Sequence, residues 1–578
     1  MATATTVPAP STHGPLSHKQ IMTILTGLMM GMFLAALDQT IVSSAMRVIA
    51  DDLNDLAGQA WVLTAYLITS TIVTPLYGKL SDIYGRKPFF TAAIVIFLFG
   101  SVLCAFATSM PMLAGFRAVQ GLGAGGLFSL ALAIIGDIVP PRERAKYQGY
   151  FLAVFGTSSV LGPVVGGFFA GQPEIAGIAG WRWVFLVNLP IGLVALLVVN
   201  RTLHLRHTRL DHRIDFGGAA ALTIGLVPLL LVAEQGREWG WGSAQSMACY
   251  GIGLVGLVAF FLVERSMGAE ALIPLSLFKN KTVRVSSIAS VVLGMGMFGG
   301  LACLPLYLQI VKGATPTSAG LMLLPMTLGM MGGSIISGQI ISRTGQYRQF
   351  PIIGCGLLIA SLFGFHYVGA DTPLWQTMVL MLFFGLGLGG NMQPLILAVQ
   401  NAVPPRDIGV ATSSATFTRQ IGGTLGVAVF LSILFSVVPD RIATAFATIA
   451  PTPEFQAALK NPQSPTGNNQ ANIDFIHGLQ QAQAGGGGGG VLNPLSDSSF
   501  IQQLDPRLAK PFLVGFSQAM DLVFLIGSAV MVIAFVVVWF LPHVELRSGS
   551  AYEHRGELDA ADAALAAEAE VAPPGRSH

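Results

Sequence analysis

Charge is what this chain has least of. Asp, Glu, Lys and Arg make up 10% of its 578 residues, while 53% are hydrophobic. A soluble domain carries roughly 25% charged residues. A chain so poor in charge cannot keep a soluble surface wet, which excludes an ordinary globular fold. Its apolar surface belongs in lipid, where only helices and closed barrels satisfy their own backbone. Barrel strands alternate apolar and polar residues. Here the apolar runs are continuous and about 20 residues long, the length that crosses a bilayer as helix.

Cysteine is scarce too. Cys104, Cys249, Cys303 and Cys355 all fall inside apolar runs. They are spaced too widely for a metal motif and read as small apolar residues, so no metal site is expected. No Gly-rich loop followed by Lys-Ser/Thr is present, which argues against an ATP-driven pump. No paired nucleophile and base stands out, so the chain does not read as an enzyme. The start of the chain is polar through Lys19 without a cleavable signal pattern. The first apolar run is therefore expected to target the chain and to remain as a span. A net charge of +2 names no partner, and no nucleic acid is expected.

What is present is an all-α integral membrane pattern. Spans read at 20–43, 58–78, 89–109, 111–138, 149–171, 183–200, 216–236, 245–264, 283–310, 316–341, 350–369, 375–400, 409–436 and 513–541. Alternate short loops hold seventeen Lys and Arg, among them Lys79, Arg142, Arg206, Arg209, Arg213, Lys279, Arg343 and Arg406. The opposite loops hold four: Arg47, Arg182, Arg237 and Lys312. The positive-inside rule then puts both termini in the cytoplasm. The expected division is a tail at 1–19, a six-helix bundle at 20–200 and a linker with two extra helices at 201–282. Five helices of a second bundle follow at 283–436, then a long external loop at 437–512, the last helix at 513–541 and a tail at 542–578. The external loop carries a hexaglycine linker, Gly485–Gly490, flanked by two possible amphipathic helices, Asp440–Ile449 and Asn472–Ala484. The Ala- and Glu-rich final tail reads as solvated and disordered.

The two bundles repeat each other. Gly121-Leu-Gly-Ala-Gly-Gly126 is followed by Val139-Pro-Pro-Arg-Glu143; Gly385-Leu-Gly-Leu-Gly-Gly390 is followed by Val403-Pro-Pro-Arg-Asp407. Each position is offset by 264. Gly78, Gly85 and Arg86 are echoed by Gly338, Gly345 and Gln346 at an offset of 260. The Gly-x-Gly-x-x-Gly string imitates a dinucleotide fingerprint, but that motif needs a preceding strand. Inside an apolar helix such glycines bring helices together.

Charges in hydrocarbon are costly and informative. Asp38, Arg117 and Arg419 lie well inside spans, while Asp137, Glu234 and Asp521 lie nearer span ends. Asp38 in span 1 and Arg117 in span 4 fall at similar depth. A carboxylate there is held ionised by a nearby cation and pushed toward protonation by desolvation. The pair reads as a proton switch, or else as an ion pair fixing helix register. Arg419 either faces a cavity or pins a backbone carbonyl. The loop between spans 2 and 3 holds Gly78, Asp82, Gly85, Arg86 and Lys87. There the glycines permit a tight turn and Asp82 can cap a helix N-terminus, latching one conformation. In span 5, Gly156, Gly162, Pro163, Gly166 and Gly167 combine a Gly-xxx-Gly face with a bend.

These residues carry a resemblance. The chain resembles the fourteen-span drug:proton antiporters of the major facilitator superfamily, whose halves flank a central binding site. Gly78 to Lys87 is similar to the superfamily's 2–3 loop. Arg117-Ala-Val-Gln120-Gly121-Leu-Gly123 is similar to the span 4 motif linked to proton transfer. Gly156 to Gly167 resembles the exporters' antiporter motif, and Leu37-Asp38-Gln-Thr40-Ile41-Val42 the span 1 motif of the fourteen-span branch. Trp181-Arg182-Trp183 with Asn188, Pro190 and Gly192 fits that branch too. The branch usually continues Asn-Val-Ala-Leu-Pro after Val42, where this chain has Ser43-Ser-Ala-Met-Arg47. Acids that some relatives use for cationic drugs in spans 10 and 13 are not evident. Monocationic, neutral and anionic substrates therefore stay open. Asp82 has no acidic counterpart in the second half, where Ser342 stands, so the latch is expected to be one-sided.

The resemblance implies proton-driven export of amphiphilic small molecules from a bacterial cell, without a cofactor, by a monomer embedded in lipid, and antibiotic resistance as a phenotype. A dedicated exporter of one metabolite, lipid or siderophore is the alternative, with a non-transporting sensor behind it. Candidates for the cavity lining are Trp61, Tyr66, Phe155, Met297, Phe298, Asn391, Gln393, Phe417 and Arg419. Flexible Met and aromatic linings suit promiscuous binding.

Overall fold

The computed structural model describes residues 17–55, 58–203, 215–460, 468–483 and 499–546. The hexaglycine run, the end of the final tail, and Arg206, Arg209 and Arg213 lie outside the described residues. The first half holds α1 (His18–Asp52), α2 (Gln59–Tyr84), α3 (Arg86–Ala105), α4 (Met110–Ile138) and α5 (Pro141–Ala170). A two-residue hairpin, β1 (Glu174–Ile175) and β2 (Ile178–Ala179), leads to α6 (Trp183–Leu186) and α7 (Asn188–Thr202). Next come α8 (Phe216–Trp239) and α9 (Ala244–Met267). The second half holds α10 (Lys281–Leu306), α11 (Pro316–Met322), α12 (Leu324–Thr344), α13 (Gln349–Phe365), α14 (Leu374–Ala402) and α15 (Ile408–Ile449). It ends with α16 (Pro453–Lys460), α17 (Asn469–Gln483) and α18 (Pro506–Trp539).

Local chemistry sets the helix ends. Ser17 and Gln20 form a capping box at the start of α1. Ser109 accepts from the Met112 N–H to start α4, and Asn280 accepts from Thr282 and Val283 to start α10. Gly85 separates α2 from α3 at φ 101°, a conformation that suits glycine. Twelve stretches among the described residues are long and apolar enough to cross a membrane. Helix α2 is not among them, since Thr64, Thr69, Ser70, Thr71 and Thr74 lower its hydropathy. Helix α13 is apolar but only 17 residues long.

Packing reproduces the sequence repeat. Helix α4 packs on α2 and α3 as α14 packs on α12 and α13. Helix α1 packs on α5 and α7 as α10 packs on α15 and α18. The repeated glycines explain the first correspondence. A methyl group at Gly121 or Gly125 would collide with α2, and one at Gly123 with α3. Likewise a methyl at Gly385 or Gly389 would collide with α12, and one at Gly387 with α13. The second correspondence rests on a repeat that the sequence analysis missed. Gly162 and Gly166 press α5 onto α1 at Thr40, Ile41 and Ser44. Gly422 and Gly426, offset by the same 260, press α15 onto Val291 and Met295 of α10. The halves meet along α2 with α15 and along α5 with α12, where Gly156 faces Thr327. Helix α8 lies on the α2–α15 seam, and α9 packs against α8.

The described part of residues 437–512 is largely helical, as expected at Asp440–Ile449 and from Asn472 onward. Helix α15 continues without a break to Ile449, α17 covers the expected helix from Asn472 to Gln483, with Ala484 outside the described residues, and α18 starts at Pro506. Phe446, Phe475 and Phe500 converge on Phe512, with ring centroids 5.0, 5.8 and 5.4 Å away. The segment thus has an apolar core of its own, which the search for runs of span length passed over.

Neighbouring glycines of α5 make a sharp test. A methyl at Gly166 would meet the Ile41 carbonyl at 2.8 Å, whereas nothing lies within 4 Å at Gly167. Gly166→Ala should destabilise the protein by about 1–3 kcal/mol through overpacking. Gly167→Ala should be neutral or stabilising, since Ala is the better helix former by about 1 kcal/mol. Thermal unfolding of the detergent-solubilised variants measures both signs.

Candidate functional site

The first half buries a polar cluster drawn from five helices. Asp38 of α1 and Arg117 of α4 are fully buried, with Arg117 Nη1 2.5 Å from Asp38 Oδ2. Gln120, one turn along α4, donates to Asp38 Oδ1 at 2.9 Å and to Ser101 Oγ of α3 at 2.6 Å. Asn188 at the start of α7 also donates to Asp38 Oδ1, at 2.7 Å. The Tyr66 ring of α2 lies under the guanidinium, 4.1 Å from centroid to Cζ, a cation–π contact. Glycine sets the close approach here as well: a methyl at Gly100 would lie 2.6 Å from Gln120 Cα. Arg117 Nη1 also donates to Gln120 Oε1 at 2.7 Å, while Nε and Nη2 are buried without a hydrogen-bond partner. The sequence singled out the two charges and Tyr66. It missed Gln120, Ser101 and Asn188 as partners, because an uncharged polar residue in a helix costs too little to stand out.

A second cluster joins the halves at the end of the molecule that carries both described chain ends. Asp82 Oδ2 accepts from the Val410 N–H at 2.8 Å, so a residue of α2 caps α15. Arg86 pairs with Asp82 at 2.5 Å and with Asp137 of α4 at 2.7 Å. Gly78 lies against Ser413 of α15, and Gly85 makes the turn. Lys87 points elsewhere, donating to the Asn200 carbonyl of α7 at 2.8 Å. Gln400 of α14 crosses between the halves and donates to the Leu132 carbonyl of α4 at 3.1 Å. Asp137 was legible as a charge near a span end, but nothing in its spacing tied it to the 2–3 loop.

The cavity candidates divide. Met297, Asn391 and Arg419 line one narrow cavity together with Ser290, Leu293 and Met392. Phe298 packs on Gly423 between α10 and α15. Phe417 is buried among Leu222, Leu226 and Leu230 of α8, and Trp61 is 39% exposed with its ring beside Trp239 of α8. Both therefore face the inserted helix pair instead of the cavity. Phe155 stacks on Phe128 at 5.3 Å. Gln393 is buried with Oε1 unpaired. Pro163 lies beside Gly320 of α11. No cluster fit to hold a metal occurs among the described residues.

The cap that Asp82 places on α15 carries a prediction. Losing an N-cap carboxylate costs about 1 kcal/mol, enough to shift a two-state population roughly fivefold. In Asp82→Ala, which removes the capping oxygen, spin labels at the exposed Arg142 and Arg406 positions should move toward longer distances by double electron–electron resonance. An unchanged distance distribution would contradict the latch.

Relatives share this architecture. The family model of the Major Facilitator Superfamily matches residues 28–427. The chain is 34% identical to the multidrug transporter protein MdtP of Bacillus subtilis, over 76% of this chain and 82% of that protein. It is 37% identical to a tetracycline resistance determinant of Streptomyces rimosus, over 60% of this chain and 96% of that protein. The solved structure of the proton:xylose symporter XylE aligns with 94% of this chain and 100% of that one, at a TM-score of 0.55 and 14% identity, a likeness of fold. With a family model covering most of its length, the chain belongs to the major facilitator superfamily.

Proposed function

We propose that this chain is a proton-driven exporter of amphiphilic small molecules in a bacterial cell membrane, with fourteen crossings and both termini in the cytoplasm. That it is a membrane transporter and not an enzyme follows from its family. The observation that carries the proton coupling is the fully buried Asp38–Arg117 pair. Arg117 favours ionised Asp38, while exclusion of water favours the protonated acid. Relative motion of α1 and α4 changes the balance, so one proton can bind Asp38 from one side and leave toward the other. Moving that charge through the membrane potential yields about 2.3 kcal/mol per 100 mV. When Asp38 is protonated, Arg117 loses its counter-charge with Nε and Nη2 already unpaired. That strain favours a rearrangement of the bundle.

Export is supported by the Gly162–Gly166 seam between α1 and α5 and by the printed functions of the relatives, a multidrug transporter and a tetracycline resistance determinant. Fourteen crossings are supported by the repeat. Helices α2 and α13 miss the strict length and hydropathy test, yet their counterparts α12 and α3 meet it. The chain ends also support an even count. His18 contacts Tyr147 at the start of α5, and Asn401 at the end of α14 donates to the Glu545 carbonyl beyond α18. The excess of Lys and Arg on that side supports a cytoplasmic assignment.

Everted membrane vesicles holding the protein should accumulate an amphiphilic dye under an imposed proton gradient and lose it on adding an uncoupler. Asp38→Asn, present at wild-type levels in the membrane, should abolish gradient-driven uptake. Uptake unchanged in that variant would contradict the assignment of the coupling site.

A further inference from the structure

Buried arginines in this structure come with partners. Arg117 has Asp38, Arg86 has Asp82 and Asp137, and Arg144 donates to the Val139 carbonyl at 2.7 Å. Arg419 differs. Among the described residues its guanidinium has no ion pair or hydrogen bond. It lies eleven residues into α15 from Ile408, about 16 Å along the helix and so near the middle of a hydrocarbon core about 30 Å thick. Its side chain lines the narrow cavity together with Ser290, Leu293, Met297, Asn391 and Met392. Helices α10, α12 and α14 contain no Asp or Glu, and the one acid of α15 is Asp440, 21 residues farther on. Asn391 is uncharged, and its Oδ1 accepts from Cys355 Sγ at 3.4 Å. It therefore does not neutralise the cation.

An unpaired cation at this depth is expensive; the acids of α2, α4 and α18, which also pack on α15, are Asp82, Asp137 and Asp521, and among the described residues none forms an ion pair with Arg419. We propose that Arg419 is the anion-binding subsite for the transported compound, pairing with one oxyanion (carboxylate, enolate or sulfonate) of an amphiphile. The planar guanidinium suits such a group through two parallel hydrogen bonds. Leu293, Met297 and Met392 receive the apolar body, and the methionines adapt to its shape. A cationic amphiphile finds no counter-charge here and is repelled by Arg419. The word "transported" rests on the exporter reading above; the binding preference does not. In the present conformation the cavity has room for little more than a water, so entry requires the halves to part.

Equilibrium dialysis separates the two readings, because it needs no proton gradient. The probes are 7-diethylaminocoumarin-3-carboxylate and its neutral ethyl ester. The full chain is held in phosphatidylcholine nanodiscs, with empty nanodiscs as background. Wild type should bind the carboxylate more tightly than the ester. Arg419→Gln should weaken carboxylate binding by about tenfold or more, the size of a lost charge-assisted hydrogen bond, with a much smaller effect on the ester. Arg419→Lys should fall between. Three results would overturn the inference: wild type preferring the ester, Arg419→Gln leaving carboxylate binding unchanged, or both probes weakening equally. If the glutamine variant fails to fold, the wild-type preference and the lysine variant still decide. Carboxylate binding without gradient-driven uptake of any probe would leave the subsite standing and overturn the exporter reading.

Discussion

An ionised carboxylate and a guanidinium cannot be taken out of water unless they stay together, and the first half of this protein is organised around that constraint. Asp38 receives Arg117, Gln120 and Asn188, and Ser101 and Tyr66 complete the surroundings. The donors and acceptors come from α1, α3, α4 and α7 and the aromatic ring from α2, so each helix must hold its position for the pair to remain compensated. Glycines permit this. Gly100 admits Gln120, and Gly121, Gly123 and Gly125 let α4 approach α2 and α3. Packing and electrostatics are thus one problem here: the tight glycine seams bring the polar groups within hydrogen-bond distance, and the buried charges give that tightness its importance.

The two halves share a scaffold and differ in charge. Asp82, Arg86 and Asp137 of the first half correspond by the repeat to Ser342, Gln346 and Asn401 of the second. All three charges of the interhalf cluster therefore lie on one side, and the partner on the other side is backbone, the Val410 N–H at the start of α15. A charge meeting a helix terminus can be made and broken without leaving a second buried charge unpaired. That suits a contact meant to open. The second half carries Arg419 in its cavity, and among the described residues that guanidinium has no partner. The first half carries a charge that is balanced inside the protein, and the second carries one that a ligand can balance.

Much of this was legible in the sequence. Asp38 and Arg117 stand out because each interrupts an apolar run, where a charge is tolerated only for a reason. The offset of 264 identified the glycines of α4 and α14, and the structure gives them the same task. The offset of 260 also relates Gly162 and Gly166 to Gly422 and Gly426, which escaped notice because the flanking residues differ. Other features were out of reach. Gln120, Ser101 and Asn188 become partners only when four helices converge. Phe417 and Trp61 look like cavity residues until α8 is known to lie on the α2–α15 seam. The helix expected at Asp440–Ile449 is the outer part of α15; its continuity with the span was hidden because its outer turns are amphipathic, and a search for apolar spans stops where the polar face begins.

The central claim is that Asp38 takes up and releases the coupling proton. Infrared difference spectroscopy between acidic and alkaline pH measures this directly, in wild type and in Asp38→Asn. A protonated carboxyl in a dry site gives its own carbonyl stretching band. That band should appear in wild type on acidification and be missing from the asparagine variant. An identical band in both proteins would assign the proton to another carboxylate and contradict the account.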